Sequence, residues 1–303
     1  MNSRMLITGL GEFGLIKRFR RRIKTDPSVI VGSGDDCAVL RFDRDNYQLF
    51  TCDTIVERVD FTLKDPAYLI GRKSIAVAVS DIASCAGLPR HCLVALGLPK
   101  ETPLKLIDNI FKGMLDISRR FKINIAGGDI SSAREIVISV SMLGVVEKKY
   151  LCLRQGAKPK DIIFTSGSLG GSGRGKHLKF IPRVKEARAL VKNFKINSMI
   201  DISDGLCADL GHILEESRVG ALLYEGLIPL SKEASGLSDA LYTGEDFELL
   251  FTVSLKEAKR LLKSKFSRLF KPIGEIVTKD QGFTLINKKN RQVKIKAEGF
   301  RHF

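Results

Sequence analysis

Met199-Ile200-Asp201-Ile202-Ser203-Asp204-Gly205-Leu206 passes from an apolar run into an acidic corner broken by glycine, and then into an amphipathic stretch reaching Glu216. The apolar residues over 198–202 predict a short buried strand, and the spacing after Gly205 predicts a helix over 206–216. Acidic stretches of this kind recur along the chain. Gly34-Asp35-Asp36, Thr51-Cys52-Asp53, Ser80-Asp81 and Gly127-Gly128-Asp129 each set an acid beside glycine, serine or threonine at a strand end or within a helix. Strand ends carry loops off a rigid scaffold, and glycine lets backbone amides approach a phosphate. Any one such corner is also an ordinary Asx turn or helix cap. Together they offer many hard oxygen ligands with no His or Cys donor required, which is what Mg²⁺ takes, usually shared with substrate phosphates.

Away from these corners, periodicity predicts a helix over 12–23, a hairpin from strands 37–42 and 47–52, a long apolar helix over 66–86, a strand over 91–98, a helix over 103–121 and a strand over 135–146. The order ββαβαβ indicates an α+β domain over 1–146. The rest, 147–303, reads as an α/β domain: strand 161–166, a glycine-rich loop over 167–175, helix 183–192, strands 247–253 and 273–277 with a helix between them, and a basic C-terminal hairpin. No internal repeat or low-complexity linker stands out.

The 303 residues suffice for two domains with sizeable cores, and 44% hydrophobic with 28% charged residues describes a folded globular chain. Apolar runs such as 75–79 are far too short to span a membrane, and no signal-peptide pattern opens the chain, so a cytoplasmic address is expected. Six widely spaced cysteines without a C-x-x-C read as small buried hydrophobes in a reducing compartment. Four histidines lack zinc-ligand spacing. The net charge of +16 would attract polyanions, but the basic residues are scattered with one tight run at 18–22, so no specific nucleic-acid partner is expected.

Two glycine motifs offer other chemistries. Gly9-Leu10-Gly11-Glu12-Phe13-Gly14 satisfies a dinucleotide fingerprint after Met5-Leu6-Ile7-Thr8 and leaves a nicotinamide-binding oxidoreductase open, although the hairpin that follows does not suit a parallel βαβ unit. Gly170-Gly171-Ser172-Gly173-Arg174-Gly175-Lys176-His177 satisfies a P-loop up to its last position, where histidine replaces the Ser or Thr that holds Mg²⁺. A phosphate-cradling loop and a plain surface loop both remain open there.

Nine stretches, in order along nearly the whole chain, resemble the thiamine-monophosphate kinases. They are Leu10-Gly11-Glu12-Phe13-Gly14-Leu15-Ile16, Gly34-Asp35-Asp36-Cys37-Ala38-Val39-Leu40, Thr51-Cys52-Asp53-Thr54, Val79-Ser80-Asp81-Ile82-Ala83 and Ala126-Gly127-Gly128-Asp129. The series continues with Arg154-Gln155-Gly156-Ala157-Lys158-Pro159, the 199–206 stretch, Gly244-Glu245-Asp246-Phe247-Glu248-Leu249-Leu250 and Gly299-Phe300-Arg301-His302-Phe303. The resemblance implies the fold of aminoimidazole-ribonucleotide synthetase, with N-terminal sheets pairing across a homodimer and ATP and several Mg²⁺ between the domains. It implies transfer of the ATP γ-phosphoryl group to thiamine monophosphate, and reassigns Gly9 to Gly14 as the opening of an N-terminal segment.

By position, Asp35, Thr51, Cys52, Asp53, Asp81, Asp129, Asp201 and Asp204 resemble metal-binding residues, Cys52 through its carbonyl. Asp35, Asp53, Asp81, Asp129 and Asp204 are thereby the candidate catalytic set. Gly128, Asp129, Arg154 and Ser203 match ATP contacts, and Asp60, Glu245 and Phe300 match the thiamine side, where a carboxylate and an aromatic face suit a cationic ring. Three departures stand out. Asp60 occupies the histidine position of the family's Val-His-Phe stretch, so a substrate-phosphate contact is missing or rebuilt. Thr243 replaces the first of two glycines, and the segment between Gly175 and Asn197 is shorter than is typical, which bears on the helical cover of the second domain. The alternative within the superfamily is another ATP-using enzyme such as a purine-pathway synthetase; the absence of an N-terminal reactive cysteine and of a cysteine tail argues against selenide-activating and hydrogenase-maturation proteins.

Overall fold

The computed structural model describes residues 6–301; Met5, at the head of the expected first strand, and His302 and Phe303, in the last family stretch, lie outside the described residues. Ile7–Gly9 forms a 3-10 turn that leads into α1 (Gly11–Arg20). A dinucleotide fingerprint requires a strand feeding the glycine turn. Ile7–Gly9 takes the 3-10 form where the motif calls for the end of a strand, so the described part of the stretch does not have the strand–turn–helix setting of that fingerprint.

β1 (Val29–Val31), β2 (Ala38–Arg41) and β3 (Asn46–Val56) follow. The β2–β3 turn is held by Asp43, whose carboxylate accepts the Asp45 and Asn46 N–H groups at 2.8 and 2.7 Å. α2 (Ala67–Ser84), β4 (Leu88–Leu98), α3 (Leu104–Phe121), β5 (Asn124–Ser132) and β6 (Val137–Glu147) complete a six-stranded sheet of order β1-β2-β3-β6-β4-β5. This order contains the expected ββαβαβ and adds β1 and β5. The long apolar α2 and the amphipathic α3 cover one face, where Ile75, Ile82, Ile110 and Ile117 pack against Leu49, Ile138 and Val140. Alternate positions of β6 are buried on that side, leaving the opposite face open.

The second half builds a seven-stranded sheet of order β13-β12-β9-β11-β7-β10-β8 from β7 (Ile162–Ser166), β8 (Ser198–Asp201), β9 (Gly220–Tyr224), β10 (Leu249–Val253), β11 (Phe270–Val277), β12 (Phe283–Ile286) and β13 (Gln292–Lys294). Strands and helices alternate as expected, but neighbours pair antiparallel except β9 with β12. α4 (Val184–Asn193) buries Ala187, Leu190 and Val191, so helical cover is present despite the short segment that contains it. α5 (Leu206–Ser217) sits on the same sheet's other side with α6 (Leu237–Tyr242), and α7 (Leu255–Leu262) links β10 to β11. The glycine-rich loop contains two short 3-10 turns, and its Lys176 Nζ donates to Asp246 at 2.6 Å and to the Ser168 carbonyl at 2.5 Å. The lysine of the P-loop-like motif is thus engaged by the protein's own oxygens.

Candidate active site

β3 presents residues alternately to its two faces, so Thr51 and Asp53 point toward α2 while Cys52 and Thr54 point to the open face. Thr51 Oγ1 donates to Asp81 Oδ2 at 2.5 Å. Beside Asp81, Ser80 Oγ donates to Asp201 Oδ2 at 2.5 Å at the end of β8. The Ser80-Asp81 turn of α2 therefore ties the two sheets together through their acidic ends. The Cys52 sulfur lies against Ser139 and Ser141 on the open face at 3.6 and 3.5 Å, so its thiol takes no part in the acidic corner.

Arg154 closes a second acidic corner. Its backbone N–H donates to Asp35 at 3.0 Å, and its guanidinium donates to Asp36 from Nε at 2.8 Å and from an η nitrogen at 2.5 Å. The other Asp36 oxygen is buried with no hydrogen-bond partner among the described residues. On the far wall, Asp209 accepts the Asp204 and Gly205 N–H groups at 3.0 and 3.1 Å and so starts α5. Ser203 accepts the Glu245 N–H at 2.6 Å, and Asp204 accepts the Phe300 N–H at 2.9 Å through its carbonyl, knitting three distant segments into one corner. Gly244 has φ 79, and a Cβ there would overlap the Ser203 carbonyl, so this junction requires glycine.

Two adjoining hollows result. The larger, of about 540 Å³, is lined by Asp35, Asp53, Asp81, Arg154, Ser203 and Asp204 among others, with Phe13 and Lys17 of α1 and His212 of α5 on its outer side. The smaller, of about 240 Å³, is lined by Asp60, Lys73, Thr243, Glu245, Phe247 and Phe300 among others. Glu12, Asp53, Ser203 and Asp204 belong to both, so the hollows meet at an acidic threshold.

Burial raises the carboxyl pKa values of the acids at and behind this threshold: Asp35 to about 7, with Asp36 adding repulsion, Asp53 to about 6, and Asp201 to about 8 with Asp36 again contributing. Asp81 is pushed well above the carboxylate range by burial and by Asp53. Carboxylates held this close need protons or cations between them. An all-oxygen set of Asp35, Thr51, Asp53, Asp81 and Asp204 together with the orphaned Asp36 oxygen suits a hard divalent cation. Among the described residues, Asp204, Asp209 and His212 also bring ligand atoms within 4.8 Å of one another.

Asp129 and Gly128 are not brought here. Across the sheet Asp53 pairs with Val140, Val140 with Val94 and Val94 with Gly128, three strand spacings or roughly 14 Å. Asp129 aligns with Ala95, Ser139 and Thr54, on the open face, where it accepts from Ser131 Oγ at 3.1 Å. Within one chain Gly128 and Asp129 therefore lie apart from the acids around Asp53 and Asp81. Asp60 accepts the Val56 N–H at 2.7 Å with its carboxylate and the Lys73 ammonium at 2.6 Å with its carbonyl. Lys73, Asp209 and His212 escaped the sequence reading because each looks like an ordinary member of a helix or turn. The i, i+3 spacing of Asp209 and His212 after an acidic corner was the available signal.

Residues 34–146 match the AIR synthase related protein, N-terminal domain, and residues 157–286 match the corresponding C-terminal domain. The chain is 36% identical to the thiamine-monophosphate kinase of Buchnera aphidicola subsp. Schizaphis graminum over 96% of its length and 98% of that protein's. It is 32% identical to that of Bacillus subtilis, over 97% and 100%. It superposes on a solved structure described as AaThiL complexed with AMPPCP and TMP with a TM-score of 0.86, at 28% identity and full coverage of both chains. The thiamine-monophosphate kinase of Stenotrophomonas maltophilia K279a gives 0.73 at 30% identity, over 91% and 96%. Family domains in register with both sheets, and relatives matched from end to end, lead to one statement: the chain belongs to the thiamine-monophosphate kinase family.

Proposed function

We propose that this protein transfers the γ-phosphoryl group of ATP to thiamine monophosphate, giving thiamine diphosphate and ADP, with the nucleotide in the larger hollow and the acceptor in the smaller. The observation that carries this reading is their shared threshold at Asp53, Ser203 and Asp204, where a donor phosphate and an acceptor phosphate would meet. A phosphate monoester with a second pKa near ~6 is already a dianion at neutral pH, so its oxygen attacks the γ-phosphorus without a base. A new P–O bond forms on the acceptor as the β–γ bridging bond breaks and ADP leaves. Arg154 and Ser203 orient the nucleotide phosphates; Glu245 and the Phe300 ring hold the cationic end of the acceptor.

Asp35, Asp53, Asp81, Asp201 and Asp204, with Thr51 and the Cys52 carbonyl, would hold several Mg²⁺. When bound, these ions neutralise phosphate charge and align donor with acceptor. The division of labour follows: residues 1–146 supply metal sites, ATP contacts and the dimer face, and 147–303 complete the nucleotide and thiamine sites. The open sheet face exposes Phe50 and Leu93, and we place a second copy of the chain against it, which makes Gly128 and Asp129 available to the partner's nucleotide. No helix among the described residues is long and apolar enough to cross a membrane, the described cysteines are free, and we place the enzyme in the cytoplasm.

An ADP-release assay comparing thiamine monophosphate, thiamine and aminoimidazole precursors tests the reading. Turnover is expected with thiamine monophosphate; release with an aminoimidazole precursor instead would shift the assignment to a purine-pathway synthetase. Asp81→Asn is expected to lower kcat about 100-fold or more, and a variant within a few-fold of wild type would remove Asp81 from the metal set.

A further inference from the structure

The smaller hollow holds one cation among its described lining residues, Lys73, against the carboxylates of Glu12, Asp53, Asp60, Asp204 and Glu245. Lys73 is 1% exposed, and its ammonium is engaged by the Asp60 carbonyl at 2.6 Å, His177 Nδ1 at 2.8 Å and a Glu245 carboxylate oxygen. An ammonium only donates, so in this contact His177 accepts at Nδ1, and the same nitrogen lies 3.2 Å from the second Glu245 carboxylate oxygen. Burial and the Lys73 charge push the His177 pKa down to about 4, which keeps the ring neutral and Nδ1 an acceptor near neutral pH. His177 comes from the glycine-rich loop, on a 3-10 turn that follows Gly175 at φ 86.

We propose that the Lys73–Glu245 pair selects a zwitterionic acceptor, which inserts into it with its cationic ring on Glu245 and its phosphate on Lys73, while His177 is the positioning residue that aims the ammonium. This rests on the acceptor reading given above and adds how the site distinguishes thiamine monophosphate from thiamine. An acceptor lacking phosphate draws Glu245 away and strands a nearly dry ammonium. An acceptor carrying both charges satisfies both partners. The same geometry rebuilds the phosphate contact that Asp60 cannot supply in place of the family histidine: its carbonyl orients Lys73, and the imidazole arrives from another loop.

The test is steady-state kinetics with ATP and thiamine monophosphate, plus calorimetric binding of thiamine monophosphate and thiamine, on wild type, Lys73→Met, His177→Leu and His177→Asn. Lys73→Met is expected to raise KM for thiamine monophosphate about 100-fold and to bring the affinities for the two ligands within a few-fold of each other, with KM for ATP changed less than about threefold. His177→Leu is expected to raise the acceptor KM about tenfold with little change in kcat, and His177→Asn, which keeps an acceptor atom, to restore most of it. The histidine variants leave no buried charge to rehouse, so they decide the matter if Lys73→Met does not fold. Unchanged acceptor KM in the variants, or equal losses for ATP and acceptor, would overturn the proposal while leaving the kinase reading intact. Wild type that neither binds nor phosphorylates thiamine monophosphate would overturn both.

Discussion

Arg154 carries opposite obligations in one side chain: it neutralises Asp36, which is almost fully buried, and its guanidinium lies on the wall of the larger hollow. Removing one member of a buried ion pair leaves the other charge uncompensated, a loss of about 3–5 kcal/mol. Arg154→Met is therefore expected to lower stability by about that amount in urea titration and to raise KM for ATP; an unchanged unfolding midpoint would show that Asp36 finds another partner. At this scale Asp35, Asp53, Asp81 and Asp204 were legible because each sits in a short acid-and-glycine or acid-and-serine stretch. Lys73 was not, and neither was the pairing of Asp36 with Arg154, since a side chain that matters through its distant partner leaves no local mark.

Between α2 and α3 the backbones touch. A Cβ on Gly71 would overlap the Ile110 carbonyl, and one on Gly113 would overlap the Tyr68 carbonyl, so each helix uses glycine where the other crosses it. Gly113→Ala must push the helices apart, with an expected cost of about 1–3 kcal/mol, read as a lower melting temperature. Because α2 carries Ser80 and Asp81 between the sheets, activity is expected to fall with it. Elements with strong periodicity, α2, α3, β3 and β6, were legible to within a few residues. β5 was not: it is an edge strand exposed along most of its length, and Gly127-Gly128 reads locally as a loop. Its glycine has a tertiary cause, for a Cβ on Gly128 would overlap the Val94 carbonyl of β4.

Across the molecule, charge couples stability to pH. Asp53, Asp35 and Asp201 titrate at about 6, 7 and 8 in the folded protein, against roughly 3.9 in an unfolded chain. The folded state binds the extra protons, so this contribution is fully present below about pH 4 and is lost as pH rises through 6 to 8. In chelator, the melting temperature is expected to fall from about pH 5 to pH 8, and Mg²⁺ to raise it more at pH 8, where no protons compete for the carboxylates. A melting temperature that rises over that interval in chelator would contradict the buried acidic threshold. For the proposed dimer, Leu93→Asp on the open face is expected to give a monomer by sedimentation, with activity lost as Asp129 of the partner subunit is withdrawn.

What the amino-acid order determined by itself is local: which runs become strands and helices, where glycine breaks them, and that acids cluster at the breaks. These follow from periodicity and turn chemistry, which act over a few residues. Tertiary structure decided that Asp53 and Asp81 line one hollow while Asp129 faces away on the far strand, and that an imidazole from residue 177 meets a lysine at 73. Strand order and side-chain facing set these outcomes, and both depend on pairings between segments far apart in the chain that no local pattern encodes.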